Sequence, residues 1–126
     1  MTESVTIILP LPNKVLEPNC TIGSLGGRFL KAAATKKYRR ISREAVEAEG
    51  IESIPWEHII VKVAFFYKTN RRHDQDNAMG SLKAAYDGIV DSGLVSDDDY
   101  EHMERGLPTF DTDRQFPRVE LTITRG

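Results

Sequence analysis

The chain has 126 residues, a length that suits one domain with a single hydrophobic core and is too short for two domains of ordinary size. Apolar residues make up 40% and charged residues 29%, which excludes wholesale disorder. The formal net charge of −2 argues against a uniformly basic nucleic-acid binder, but the charges are segregated, and segregation allows a slightly acidic protein to carry a basic face.

The one cysteine, Cys20, can form neither an internal disulfide nor a thiolate metal cage, and reads as a small apolar side chain in a reducing compartment. The start, Met1-Thr2-Glu3-Ser4, lacks the basic and apolar regions of a signal peptide. No apolar run approaches the roughly 18 residues of a membrane span. These features predict a cytoplasmic location and no membrane partner.

Val5 to Leu9 is rich in β-branched residues and predicts a strand that stops at Pro10-Leu11-Pro12, where proline removes ladder donors. Asn13 to Gly27, punctuated by Pro18, Gly23, Gly26 and Gly27, predicts a long loop. Phe29 to Glu49 predicts a long helix. Its stripe is Phe29, Ala33, Ala34, Tyr38, Ile41, Ala45 and Val46, at spacings of three and four. Lys31, Lys37, Arg40 and Glu44 lie on the opposite face. Bases crowd the first half of this helix and acids the second, the reverse of what the helix dipole favours. A solvated face accounts for this order, and so does a surface meeting an external polyanion such as a phosphate backbone.

Ile51 to Trp56 is a connection, and His58 to Lys68 is the strongest predicted strand. Its nearly continuous apolar run, broken by Lys62, predicts a central strand covered on both faces. A basic tract, Thr69 to His73, leaves it. Asp76 or Asn77 then caps a second helix to about Asp91, with the stripe Ala78, Leu82, Ala85, Tyr86 and Ile89, closed at Ser92-Gly93. Leu94 to Arg105 predicts a turn and a strand. Arg118 to Thr124 alternates, with Val119, Leu121 and Ile123 on one face. The order β-α-β-α-β-β predicts one α/β (α+β) domain with a mixed sheet and two main helices.

The segment from Arg71 to Asn77 carries the most chemistry. On an extended stretch, Asp74 and Asp76 point to the same side. Two adjacent carboxylates repel, and a hard cation such as Mg²⁺ relieves the repulsion while completing its shell with water and phosphate oxygens. The competing reading is that both aspartates make only turn and cap hydrogen bonds. Asp97-Asp98-Asp99, after the second helix, forms another acidic run that returns towards Asp74 if that helix folds back on the sheet. Lys83 stands six residues after Asn77 and suits a developing negative charge. His58, His73 and His102 show no metal-ligand spacing, and His73 reads as a solvent-facing loop residue.

Taken in order, the Leu9-Pro10-Leu11-Pro12 segment, Asp74-Gln75-Asp76-Asn77, Lys83-Ala84-Ala85-Tyr86-Asp87, Gly93 to Asp98 and the closing Val119 to Ile123 resemble the RusA family of Holliday junction resolvases over most of the chain. The resemblance implies a small homodimeric endonuclease, often phage- or prophage-borne, that makes paired cuts in four-way DNA junctions with Mg²⁺, Mn²⁺ being able to substitute. It implies Asp74, Asp76 and one or more of Asp97 to Asp99 as metal ligands, with Asp98 at the essential later position, and Lys83 as the catalytic lysine. Lys31, Lys36, Lys37, Arg39, Arg40, Arg43, Arg71 and Arg72 are the candidate backbone contacts. One departure stands out: the family usually has two residues between the motif's asparagine and its lysine, and here there are five, Ala78 to Leu82. Two other readings fit the residues. One is a non-catalytic branched-DNA-binding protein on the same fold, and the other is a metal-dependent nucleotidyl- or glycosyltransferase using Asp74-Gln75-Asp76.

Overall fold

The computed structural model describes residues 3–20 and 25–126. In chain order the elements are β1 (Ser4–Leu9), a 3-10 turn (Lys14–Leu16), α1 (Leu25–Glu47), β2 (Ile59–Tyr67), α2 (Gln75–Gly80), α3 (Lys83–Asp91), β3 (Met103–Arg105), β4 (Thr109–Thr112) and β5 (Arg118–Arg125). The five strands form one mixed sheet. β5 lies between β1 and β2 and is antiparallel to both. The far edge of β2 is shared: β3 runs parallel along its first half and β4 along its second.

β2 is central, as its apolar run predicts, but only one face is fully covered. Ile59, Val61, Val63 and Phe65 are buried, whereas Ile60, Ala64 and Phe66 are half-buried and Lys62 is exposed. The covered face continues through Ile7 and Leu9 of β1 and Val119, Leu121 and Ile123 of β5. Each such side chain contributes roughly 1.5–3 kcal/mol on full burial. The helices lie on this face. Tyr38 and Val46 of α1 and Ala85, Tyr86 and Ile89 of α3 complete the same core. The mixed-sheet α/β architecture follows, with helices on one side only.

Several sequence expectations change. The predicted second helix is two helices, broken at Ser81-Leu82. Its five stripe residues are nonetheless all buried, so the break preserves the inward face. α1 begins at Leu25, so the end of the predicted 13–27 loop is helical; positions 21–24 of that loop, and Met1-Thr2, lie outside the described residues. Phe29 was assigned to the inward stripe and is 68% exposed. β4 was not anticipated. No described helix is long and apolar enough to cross a membrane.

α1 and α3 pack closely because Gly88 carries no side chain. A Cβ there would stand 2.3 Å from the Arg39 carbonyl oxygen and 2.7 Å from Ser42 Cβ. Beside it the Ser42 hydroxyl, fully buried, donates to the Ala85 carbonyl at 2.7 Å. This crossing fixes the basic residues of α1 relative to Lys83 at the start of α3.

Candidate functional site

β2 ends at Tyr67, and the chain passes through the basic tract into α2. Asp74, not Asp76 or Asn77, is the cap. Its backbone is extended (φ −81°, ψ 122°), and the Asn77 N–H donates to its Oδ1 at 3.1 Å. A carboxylate here satisfies one of the orphan N–H groups of the first turn, which is why the segment turns helical at Gln75 instead of staying extended. Asp76 consequently lies in the first turn, where a negative charge suits the dipole. The side chain of Asn77 has another task. Its Oδ1 accepts the Asn19 N–H at 3.1 Å and holds the segment before α1 against α2.

Gly80 ends α2 with Pro18 pressed on it. A Cβ at 80 would stand 2.2 Å from Pro18 Cγ, so a lysine does not fit there without displacing the ring. Of the five residues between Asn77 and Lys83, Ala78 to Gly80 complete α2 and Ser81-Leu82 form the break, and Lys83 opens α3. Its Nζ donates to Asp98 Oδ2 at 2.5 Å and to Asp87 Oδ1 at 3.1 Å. Arg105 Nη2 reaches the carboxylate and the carbonyl of Asp98, both at 3.1 Å, while its guanidinium covers the Tyr86 ring at 4.3 Å. The hydrogen bond from Lys83 holds the Asp98 carboxyl below the ordinary range and, reciprocally, raises Lys83 above its own.

Of the three consecutive aspartates, Asp98 is the one that meets Lys83. Asp97 Oδ1 accepts the Asp98 N–H at 2.7 Å. Asp99 Oδ1 accepts the N–H groups of Glu101 and His102 and lies 2.6 Å from His102 Nδ1. Among the described residues, no three acidic, histidine or cysteine side chains converge as a metal cage. The structure therefore joins Lys83 with Asp98, and Asp74 with the start of α2, without gathering Asp74, Asp76, Asp97 and Asp98 around one point. Arg105, which engages Asp98 alongside Lys83, had no signal in the sequence beyond its charge.

Asp74 and Asp76 are both exposed, and Asp74 spends one oxygen on its cap. Two hard-oxygen carboxylates match the donors of a Mg²⁺ ion that keeps most of its water, since one or two protein carboxylates suffice. The donor chemistry of Asp74 and Asp76 suits a hard divalent cation, although the helix start at Gln75 replaces the extended stretch expected to aim both to one side; the Asp98 carboxylate is engaged by Lys83 and Arg105.

The predicted basic residues fall on separate surfaces. Lys36, Lys37, Arg39, Arg40 and Arg43 line an open groove of about 720 Å³ along α1. Arg39 is tied to Asp91 by two contacts of 2.5 and 2.8 Å, and Arg40 and Arg43 have glutamates of α1 at 3.6–4.0 Å. These pairs are exposed and add little stability. Lys31 lines a neighbouring shallow surface with Arg28, Lys36 and Arg39. Arg71 and Arg72 belong elsewhere, to a cavity of about 410 Å³ that also includes Lys14 and Lys68. Arg28, Lys14 and Lys68 were missed because each stands outside a basic run.

His73 is not solvent-facing. Its ring stacks on Tyr67 with centroids 3.6 Å apart, and burial pushes its pKa below the ordinary value, partly offset by Glu17. The hydrogen bond to Asp99 pushes His102 the other way. The two histidines therefore titrate on opposite sides of about 6.5. The His102 pair supports the fold fully below that value and is lost as pH rises through its raised pKa. The contribution of neutral His73 is present above about 6.5 and is lost as pH falls through its lowered pKa. Ring-proton titrations by NMR should resolve both, and His73 titrating above His102 contradicts the packing.

Comparison with known proteins finds no family model and no curated protein that matches the chain.

Proposed function

We propose that the chain is a divalent-metal-dependent endonuclease that cuts branched DNA, four-way junctions in particular, in the manner of the RusA family it resembles. The observation that carries this reading is the meeting of Lys83 with Asp98, fifteen residues away, as the motif order requires of a shared site. The groove of five basic residues on α1 supports a phosphate-backbone partner.

A cation held by Asp74 and Asp76 would neutralise phosphate charge and lower the pKa of water at the cut. Lys83 stays protonated through its carboxylate partners, so its ammonium is available to a phosphate oxygen once Asp98 is drawn away. Asp98 stays ionised for the same reason, and would be a further ligand beside Asp74 and Asp76 if it left Lys83 and Arg105. Lys31, Lys36, Lys37, Arg39, Arg40 and Arg43 bind the backbone from α1, and Arg71 and Arg72 bind it beside Asp74. A homodimer would present two such sites to one junction and so make paired cuts.

One observation favours a second reading. Asp98 is already neutralised by Lys83 and Arg105, an arrangement that suits a non-catalytic junction-binding protein. Both readings require selective binding of the four-way junction over linear duplex; only the first requires cuts in Mg²⁺. The double variant Lys36→Ala/Lys37→Ala, removing two α1 charges that have no carboxylate partner among the described residues, should weaken junction binding and reduce the slope of log K against log salt by about 2. Fluorescence anisotropy across a salt series measures this, and an unchanged slope removes α1 from the interface.

A further inference from the structure

The cavity that Arg71 and Arg72 line has a composition that the metal does not explain and that backbone contacts at these two arginines explain only in part. Four cations line it, Lys14, Lys68, Arg71 and Arg72, against one carboxylate, Glu17. None of the four is paired with a carboxylate among the described residues. Its inner wall is aromatic. Phe65 and Tyr67, two apart on β2, stack nearly parallel with centroids 5.7 Å apart, and His73 continues the ladder on Tyr67 at 3.6 Å with an interplanar angle of 8°. His73, which also has the Phe110 ring at 5.7 Å, borders both this cavity and a smaller one of about 200 Å³ next to it.

A volume of about 410 Å³ lies within the range of small-molecule sites. A flat ring joined to a phosphate matches these walls: aromatic faces for the base and cations for the anion. We propose that this cavity receives one unpaired nucleotide, its base against His73 and its phosphate between Arg71 and Arg72. In the context of the endonuclease reading, on which the source of the nucleotide rests, this is a base extruded from the duplex next to the phosphate presented to Asp74. A free nucleotide has the same chemistry, and the test separates the two.

Binding is measured without cleavage, in EDTA, using three probes: a duplex with one bulged 2-aminopurine, the same duplex fully paired, and free 2-aminopurine deoxyriboside 5′-monophosphate. The expected result is about tenfold tighter binding of the bulged duplex, with its fluorescence quenched, and loss of the preference in Arg71→Ala/Arg72→Ala and of the quenching in His73→Ala. Both arginines are exposed, so the double variant folds even if His73→Ala does not. Binding of the monophosphate alone, lost in the same variants, supports the cavity, assigns it to a free nucleotide and counts against DNA as the substrate. Equal affinity for bulged and paired duplex, with no binding of the monophosphate, overturns the proposal and leaves the endonuclease reading standing.

Discussion

Asp74→Asn should slow cleavage severely while leaving stability almost untouched. Asp74 has two tasks that this substitution separates. As a helix cap it accepts the Asn77 N–H through Oδ1, and an asparagine oxygen does this as well as an aspartate oxygen. As a proposed cation ligand it supplies negative charge, which an amide lacks. Metal assistance to phosphoryl chemistry is worth several kcal/mol, so the single-turnover rate should fall on the order of 10²–10³-fold. Asp74→Ala loses both tasks and should also cost about 1 kcal/mol of stability. Cleavage rates and thermal unfolding of the two variants check the separation. A rate within threefold of wild type for Asp74→Asn reduces Asp74 to a cap.

Gly88→Ala should lower the unfolding temperature by about 8 °C. In an exposed helix the same change would stabilise by about 1 kcal/mol. Here the new methyl group would meet the Arg39 carbonyl oxygen at 2.3 Å, Ser42 Cβ at 2.7 Å and the Arg43 nitrogen at 3.0 Å. Two of these atoms are backbone and cannot swing aside as a side chain does, so α1 and α3 must separate. Overpacking of this severity costs about 3 kcal/mol, which leaves about 2 after the gain in helix propensity. Scanning calorimetry measures the shift, and a midpoint within 2 °C of wild type would show that the two helices are loosely packed.

The parts of the fold that were legible in the sequence are those set by local pattern. The alternation in β5 carries its burial directly, and Val119, Leu121 and Ile123 are all fully buried, whereas the apolar run of β2 announced its central place but not that one face is only partly covered. The inward stripe of the second helical region was legible too, because Ala78, Leu82, Ala85, Tyr86 and Ile89 keep one face. The break within it was not. Pro18 lies against Gly80 from 62 positions away, and no local periodicity carries a contact of that kind. β4 escaped notice because Thr109–Thr112 is short and includes an aspartate; only its parallel pairing with Ala64–Tyr67 makes it a strand.

The site divides along the same line. The resemblance nominates Asp98 as a metal ligand and Lys83 as a separate catalytic lysine, and the hydrogen bond between them was not anticipated. The cap was misplaced by two or three residues, because Asp74, Asp76 and Asn77 are all good capping residues and only the observed hydrogen bond distinguishes them. The eight candidate backbone contacts divide between neighbouring surfaces of α1 and a separate cavity at Arg71 and Arg72, since sequence shows charge density but not which faces α1 and the β2–α2 tract present. His73 looked like a loop residue because nothing before it announces the Tyr67 ring it stacks on.

The most direct test of the central claim is to incubate the chain with an end-labelled, fixed four-way junction and a matched linear duplex, with and without Mg²⁺, and to map the cuts. The account predicts paired, symmetric nicks in opposing strands of the junction, dependent on Mg²⁺, and an intact duplex. A junction that is bound tightly and never cut in Mg²⁺ or Mn²⁺ would contradict it and leave a binding protein in its place.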